Sequence, residues 1–476
     1  MRFSLRDVDP DGKFLPQLRL ELLARVFPRE TVQAVLEESG CRTPRQRKLT
    51  LEVTLWLVIG MNLYATRSLE AVLDQLAHGL RLLWPHDDTR RQLLAGKSAI
   101  SYRRAQLGVR PVRALYRQLC RPLATPKTRG AFFGGLRLMG LDSHTEDLPD
   151  TPENAAVFGR PTSDRGASAF PQLRCVSLCE VGTHATVDVS LLPCRCGEER
   201  GAWRLLRSLT AGMLLLWDRG FHDYDLLDAV AGRGAHVLGR LPAPVQPVAL
   251  RRLPDGSTLA KLLPSDRKRR RRGEHLLVRI IEYTLMDPQS PGYQQRYRLV
   301  TTLLDPDAFP AHALACTYHE RWEIELVIDE QDTHLLGQHQ PSSPLRSRTP
   351  RGVIQEVYGL FLAHYAVRFL MHAAALQAEE DPDRLSFTHA LRVIQDSMAD
   401  FEIAAPELLP GLCRRLLRDL ADPLLPEREP RQEPRAVRRK VLKWPLKRQE
   451  HRRWPQPTRP AWRAITLLDG MAGAVI

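Results

Sequence analysis

The apolar positions of this chain change period twice. Up to about residue 125 they recur at helical spacing: Thr50 to Ala65 is a long apolar run, and Ser68 is placed to cap a helix through Leu82. A further helical stretch begins near Ser98 and carries Arg103, Arg104 and Arg110, after which Pro111 can open another helix toward Leu123. From Leu136 the pattern turns to strands. Leu136 to Leu141 is a short apolar run ending at Asp142, and Met213 to Trp217 is an almost wholly apolar run ending at Asp218. Between them, Gln172 to Glu180 and His184 to Leu191 alternate around Val181-Gly182-Thr183, which predicts a hairpin. Trp203 to Leu209 and Tyr224 to Val230 suit helices. Strands followed by helix, strand and helix imply a mixed sheet with helices on its faces, an α/β (α+β mixed) class.

Strand-like runs return at His236 to Arg240, His275 to Met286 and Arg296 to Leu304, separated by prolines and a basic loop, Arg267 to Arg272. A long helix is then predicted from Ala311 to about Leu336, followed by Pro341-Ser342-Ser343-Pro344 and a helix from Val353 to Leu376. That last helix is the most apolar, but His364, Arg368 and His372 interrupt it, so it reads as a buried helix and not as a membrane span. The resulting division is 1–125 helical, 135–233 first part of a core, 234–305 a β insertion, 306–378 last part of the core, 379–425 helical, and 426–476 a loosely ordered Pro/Arg-rich tail.

Charge narrows the partners. The net charge is +14, and between Arg431 and Pro460 eleven Lys/Arg stand against two Glu. Such a surplus points to a polyanion, and the first residues, MRFSLRDVDPDGKF, lack the apolar core of a signal peptide. The expectation is a cytoplasmic, nucleoid-associated protein with a nucleic-acid partner and no membrane. None of the eight cysteines forms a CxxC pair, and the close spacings, Cys175/Cys179 and Cys194/Cys196, have no second cluster to complete a zinc site. The amino-terminal basic helices suit DNA docking, and solvated helix faces look the same. The tail, with Trp444 and Trp454 among its cations, suits backbone tracking or nonspecific disorder equally.

Candidate chemistry rests on carboxylates. Asp142 and Asp218 each stand just past an apolar strand, the end of an open α/β sheet where ligand-binding groups gather. Two such groups with a third from a packed helix would make a cage of hard oxygen ligands for Mg²⁺ or Mn²⁺. On an unbroken helix after Ala311, Tyr318, Arg321 and Glu325 would share one arc, setting a carboxylate beside a guanidinium that can grip phosphate. The bland reading of that helix is a solvated acidic face, since Glu320, Glu323, Asp329, Glu330 and Asp332 lie close by.

Taken in order, these segments resemble the DDE transposases of the insertion-sequence group with a Tyr-x2-Arg-x3-Glu-x6-Lys signature. Tyr318, Arg321 and Glu325 match its first three positions. Asp218-Arg219-Gly220-Phe221 matches the second-acid motif, and Asp142 with Leu148 to Asn154 and Phe158-Gly159 matches the first-acid region. Tyr297 to Thr302 and Ser98 to Gly108 add further likeness, so that it spans most of residues 45–400. The resemblance implies a ribonuclease H-like core with a β-strand insertion between the second Asp and the Glu, flanked by helical amino- and carboxy-terminal regions. It implies that Asp142, Asp218 and Glu325 are catalytic and hold Mg²⁺, with Mn²⁺ as substitute. Tyr318, Arg321 and Arg219 would contact DNA, as would Arg269, Arg270 and Arg271 from the insertion. The partners it implies are double-stranded DNA, as terminal inverted repeats and target, bound by a homodimer on paired ends. A nuclease on the same fold and an inactive DNA-binding remnant are the alternatives.

Two positions depart from the family. Its usual Asp-Gly-Thr is Asp142-Ser143-His144-Thr145 here, and Asp332 stands where the signature has Lys. A carboxylate there is expected to repel the DNA backbone and weaken the enzyme, and Asp332→Lys to raise end cleavage or strand transfer.

Overall fold

The structure, a computed structural model, describes residues 20–41, 49–79, 95–163, 166–288, 293–337, 345–426 and 461–468. The basic stretch Arg431 to Pro460, the Pro341 to Pro344 segment and residues 1–19 lie outside the described residues. The chain divides into two compact units: Met1–Ala131, Ser143–Gly201 and Ile324–Leu425 make up one, and Phe132–Asp142, Ala202–Glu323 and Pro426–Ile476 the other. Nine strands are used below: β1 (Leu136–Asp147), β2 (Gln172–Glu180), β3 (Thr186–Pro193), β4 (Met213–Trp217), β5 (His236–Arg240), β6 (Val248–Arg252), β7 (Thr258–Leu262), β8 (Leu276–Leu285) and β9 (Tyr297–Thr301).

In the second unit the strand order is β1-β4-β5-β9-β8-β7-β6. β1, β4 and β5 run parallel, with Leu141 opposite Trp217 and Trp217 opposite Gly239. The remaining neighbours are antiparallel, so the sheet is mixed. β4 is buried at every position, as a strand covered on both faces must be. Two features differ from the sequence reading. Strands β6 and β7 were not expected, because β6 is exposed along its whole length and carries no inward apolar alternation. The run Arg267–Arg271 is a short helix and not a loop; Asp266 caps it by accepting from the Lys268 N–H at 2.7 Å.

Arg279, in the middle of β8, is fully buried. Its guanidinium donates to Ser257 Oγ (2.9 Å), Asp255 Oδ2 (2.7 Å) and the carbonyls of Leu303 (3.2 Å), Asp305 (3.0 Å) and Phe309 (2.8 Å). Asp255 Oδ2 also accepts from the N–H of Ala311 at 2.8 Å, and so fixes the start of the helix Ala311–His319.

The first unit is mainly helical. Thr50 and Ser68 cap the helices Leu51–Leu63 and Leu69–Leu76 through the N–H groups of Val53 and Ala71. Arg103 donates to Leu49 O at 2.6 Å, and Arg104 to Gln355 Oε1 at 3.0 Å, so both are engaged inside the unit. The hairpin β2–β3 turns through a 3₁₀ segment, Val181–Thr183. The helix Pro350–Ala378 is long and apolar enough to cross a membrane, but it is mostly buried within the protein. Its interrupting polar residues have partners there: Glu356 accepts from the N–H groups of Arg346 and Ser347, and His372 meets Thr128 at 2.9 Å. Its His364 and Arg368 meet Glu330, which also receives His184 at 3.1 Å. Glu330 is thus no member of a solvated acidic face; burial would raise its carboxyl, but Arg368 and His184 hold it well below the usual range.

Candidate active site

β1 and β4 bring the two aspartates together. Leu141 and Trp217 are register partners in a parallel pair, so Asp142 and Asp218, the next residue on each strand, stand side by side. They reach that position differently. Asp218 follows the last residue of β4 and caps a 3₁₀ turn, accepting from Gly220 N at 2.7 Å. Asp142 is not past the end of its strand, as its sequence suggested; β1 continues to Asp147. The polar residues 142–147 carry no apolar signal, yet their backbone remains in extended pairing geometry.

Arg321 Nη1 lies 3.5 Å from Asp142 Oδ2, and the arginine is buried. A buried guanidinium beside a carboxylate fixes its direction. Tyr318 is also buried, and its hydroxyl donates to the carbonyl of Trp217 at 3.2 Å. It ties the helix Ala311–His319 to the strand end carrying Asp218. Burial, only partly offset by Arg321, pushes that phenol up to about 12. The ring of His319 is brought down to about 4, by burial first and then by Arg321.

The single helix expected from Ala311 to Leu336 is instead four segments. An α-helix to His319 passes through a 3₁₀ turn (Glu320–Trp322), a short α-helix (Glu323–Asp329) and a π-helix (Glu330–Leu335). The shared arc of Tyr318, Arg321 and Glu325 assumed an unbroken α-helix and does not carry over to this chain of winds. Glu325 is exposed on the Glu323–Asp329 helix and belongs to the first unit, whereas Asp142, Asp218, Tyr318 and Arg321 belong to the second.

Of the candidate DNA-contacting arginines, Arg219, Arg270 and Arg271 are exposed. Arg269 is tied down, pairing with Asp225 and, at 2.7 Å, with Glu274, while its guanidinium lies 5.2 Å from the centre of the Tyr224 ring. Arg270 donates to the carbonyls of Pro264 and Ser265. Asn154 braces the backbone around it, donating to the carbonyls of Pro149 and Ser347.

Asp332 stands at the position where the family signature has Lys. Its carboxyl stands with Glu146 and with His144, whose Nε2 is 3.9 Å away. Burial first, and then Glu146, push it well above the usual carboxylate range. Glu146 did not stand out in the sequence, and His144 did so only as a departure from the family's Asp-Gly-Thr. What links them there is alternation, since residues 142, 144 and 146 share one face of a strand.

Residues 17–117 match the insertion element 4 transposase N-terminal family, and residues 135–365 match the transposase DDE domain. The transposase InsG for insertion sequence element IS4 of Escherichia coli (strain K12) is 29% identical over 426 residues, covering 87% of this chain and 91% of that protein. A putative transposase InsZ of the same organism is 27% identical over 234 residues, 49% of this chain and 75% of that protein. A cryo-EM structure of the piggyBac transposase synaptic complex with hairpin DNA aligns with 85% of each chain at 13% identity and a TM-score of 0.42. With both matched domains in order along its length, this chain belongs to the DDE transposases and is homologous to the insertion element 4 transposases.

Proposed function

We propose that this transposase cuts DNA at the ends of its own element and joins the freed 3′-hydroxyl to target DNA, with Asp142, Asp218 and Glu325 holding Mg²⁺ or Mn²⁺. The observation that carries the reading is the pair Asp142 and Asp218, side by side beyond the register partners Leu141 and Trp217 within the matched DDE domain. The donor set fits the metal: carboxylate oxygens alone suit a hard divalent ion, and two neighbouring anions need a cation between them. Bound divalent ions supply electrostatic stabilisation of the phosphoryl-transfer transition state.

The chain's own residues do the rest. Arg321 holds Asp142 by charge and adds a fixed positive field beside the scissile phosphate. Tyr318 acts as a strut through Trp217 O, keeping the strand end that bears Asp218 in place. Arg219 and Arg271, both exposed, contact the DNA backbone. The strands from Val248 to Thr301 are the β insertion between the second aspartate and Glu325, on a ribonuclease H-like core. The assembly is a homodimer on paired terminal inverted repeats in the bacterial nucleoid.

Asp142→Asn, Asp218→Asn and Glu325→Gln are each expected to abolish Mg²⁺-dependent cleavage of an element-end duplex while leaving salt-sensitive binding intact. A variant that cuts like the parent removes that residue from the trio. Precut ends incubated with a circular target separate the alternatives, because a nuclease gives no joined product.

A further inference from the structure

We propose that His144, Glu146 and Asp332 form a second metal site, distinct from the aspartate pair and selective for Zn²⁺ or a similar borderline transition ion. His144 and Glu146 are two apart on β1 and present their side chains to one face; Asp332 comes from the π-helical segment Glu330–Leu335. His144 Nε2 is 3.4 Å from Glu146 Oε1 and 3.9 Å from Asp332 Oδ1, and one ligand atom from each residue lies within 4.8 Å of the others. Zinc bonds of about 2.0–2.2 Å in a tetrahedron separate N and O ligands by roughly 3.3–3.6 Å. The separations of His144 from Glu146 and from Asp332 lie within a few tenths of an ångström of that range.

The second observation is the histidine itself. Its side chain is 9% exposed, and among the described residues neither ring nitrogen makes a hydrogen bond of sound geometry. A buried imidazole aimed at two carboxyls without bonding either well is a ligand waiting for a common partner. An imidazole in the donor set argues for zinc over magnesium, which keeps to oxygen. Three protein ligands leave one position for water.

The site would staple β1, just beyond Asp142, to the helical segment that carries Asp332. It also gives meaning to the two departures from the family pattern, since the positions that differ, 144 and 332, are neighbours in space. Where the signature has an ammonium, this chain would hold a cation by other means. The inference stands on the cluster's geometry and does not depend on the catalytic trio.

The test is zinc binding to the full-length, metal-stripped protein, followed with a chromophoric competitor. One equivalent is expected on the parent and on the Asp142→Asn/Asp218→Asn double variant. His144→Gln and Asp332→Asn are expected to weaken binding about 100-fold, with folding checked by circular dichroism. X-ray absorption at the zinc edge of the parent, which needs no variant, is expected to show a nitrogen and oxygen shell. Three results would overturn the proposal: no bound equivalent on the parent, affinity unchanged in both single variants, or a shell dominated by sulfur.

Discussion

Replacing Arg279 with methionine tests how the sheet presents the helix behind the active site. The side chain is fully buried and makes five hydrogen bonds, one of them to the Asp255 carboxylate. Methionine fills the space of the stem but leaves three carbonyls, of Leu303, Asp305 and Phe309, without this donor. Removing one partner of a buried ion pair costs about 3–5 kcal/mol, and each buried polar group left unsatisfied costs about 1–3 kcal/mol before relaxation or water entry. Asp255 keeps its bonds from Ser257 and Ala311, which softens the loss on that side. The expected destabilisation is about 4 kcal/mol, at the middle of the ion-pair range. Arg279→Lys keeps the charge without the planar fork and should fall about halfway.

A chain of two compact units need not unfold in one step, so a single melting temperature is the wrong readout. Hydrogen exchange of the β8 and β9 amides reports the local free energy directly. The effect should extend to catalysis, because Asp255 also holds the Ala311 N–H that begins the helix bearing Tyr318, next to the turn that carries Arg321. A double-mutant cycle with Asp255→Asn should give a coupling of about 2 kcal/mol, within the range for residues in contact. If Arg279→Met lowers protection by less than about 1 kcal/mol, the argument that Arg279 anchors this region is wrong.

Three further outcomes follow from single contacts. A Cβ at Gly239 would lie 1.9 Å from Trp217 Nε1, so Gly239→Ala must displace the residue preceding Asp218; a loss of about 1–3 kcal/mol with reduced cleavage is expected, and unchanged hydrogen exchange of the β4 and β5 amides together with unchanged cleavage would refute it. His319 is lowered from 6.5 to about 4, so the unfolded chain binds its proton more readily; stability is full above about pH 6.5 and falls by about 3 kcal/mol as pH drops toward 4. His319→Gln should flatten that slope in pH-dependent denaturation, and an identical slope would exclude the histidine as its source. Arg271 is exposed while Arg269 is held by Asp225 and Glu274, so Arg271→Ala should lower the salt slope of DNA binding by about 1 and Arg269→Ala by less; the reverse order, measured by anisotropy at several salt concentrations, would contradict this ranking.

How much of this was legible in the sequence depended on whether a residue's role is local. β4 and the start of β1 showed as apolar runs because a strand buried on both faces needs apolar side chains throughout. The caps at Thr50 and Ser68 follow from chemistry within one helical turn, and Ser68 is legible as a cap from its neighbours alone. β6 escaped because an exposed edge strand has no inward face to mark it, and the breaks after His319 escaped because hydrophobic period does not distinguish 3₁₀, α and π windings over so few residues. The same distinction separates the two groups of acids. Asp142 and Asp218 could be paired from sequence because each ends an apolar run beside a motif, and parallel neighbours align such ends. Asp332 could be read only as a missing lysine, since a linear pattern registers the absence of an ammonium but not the imidazole brought to it from residue 144. In the fold Asp332 stands with Glu146 and His144, and burial and Glu146 raise its carboxyl above the usual range, which lowers its tendency to ionise. Asp332→Lys would set an ammonium among these groups, and end cleavage by that variant measures what the carboxyl costs.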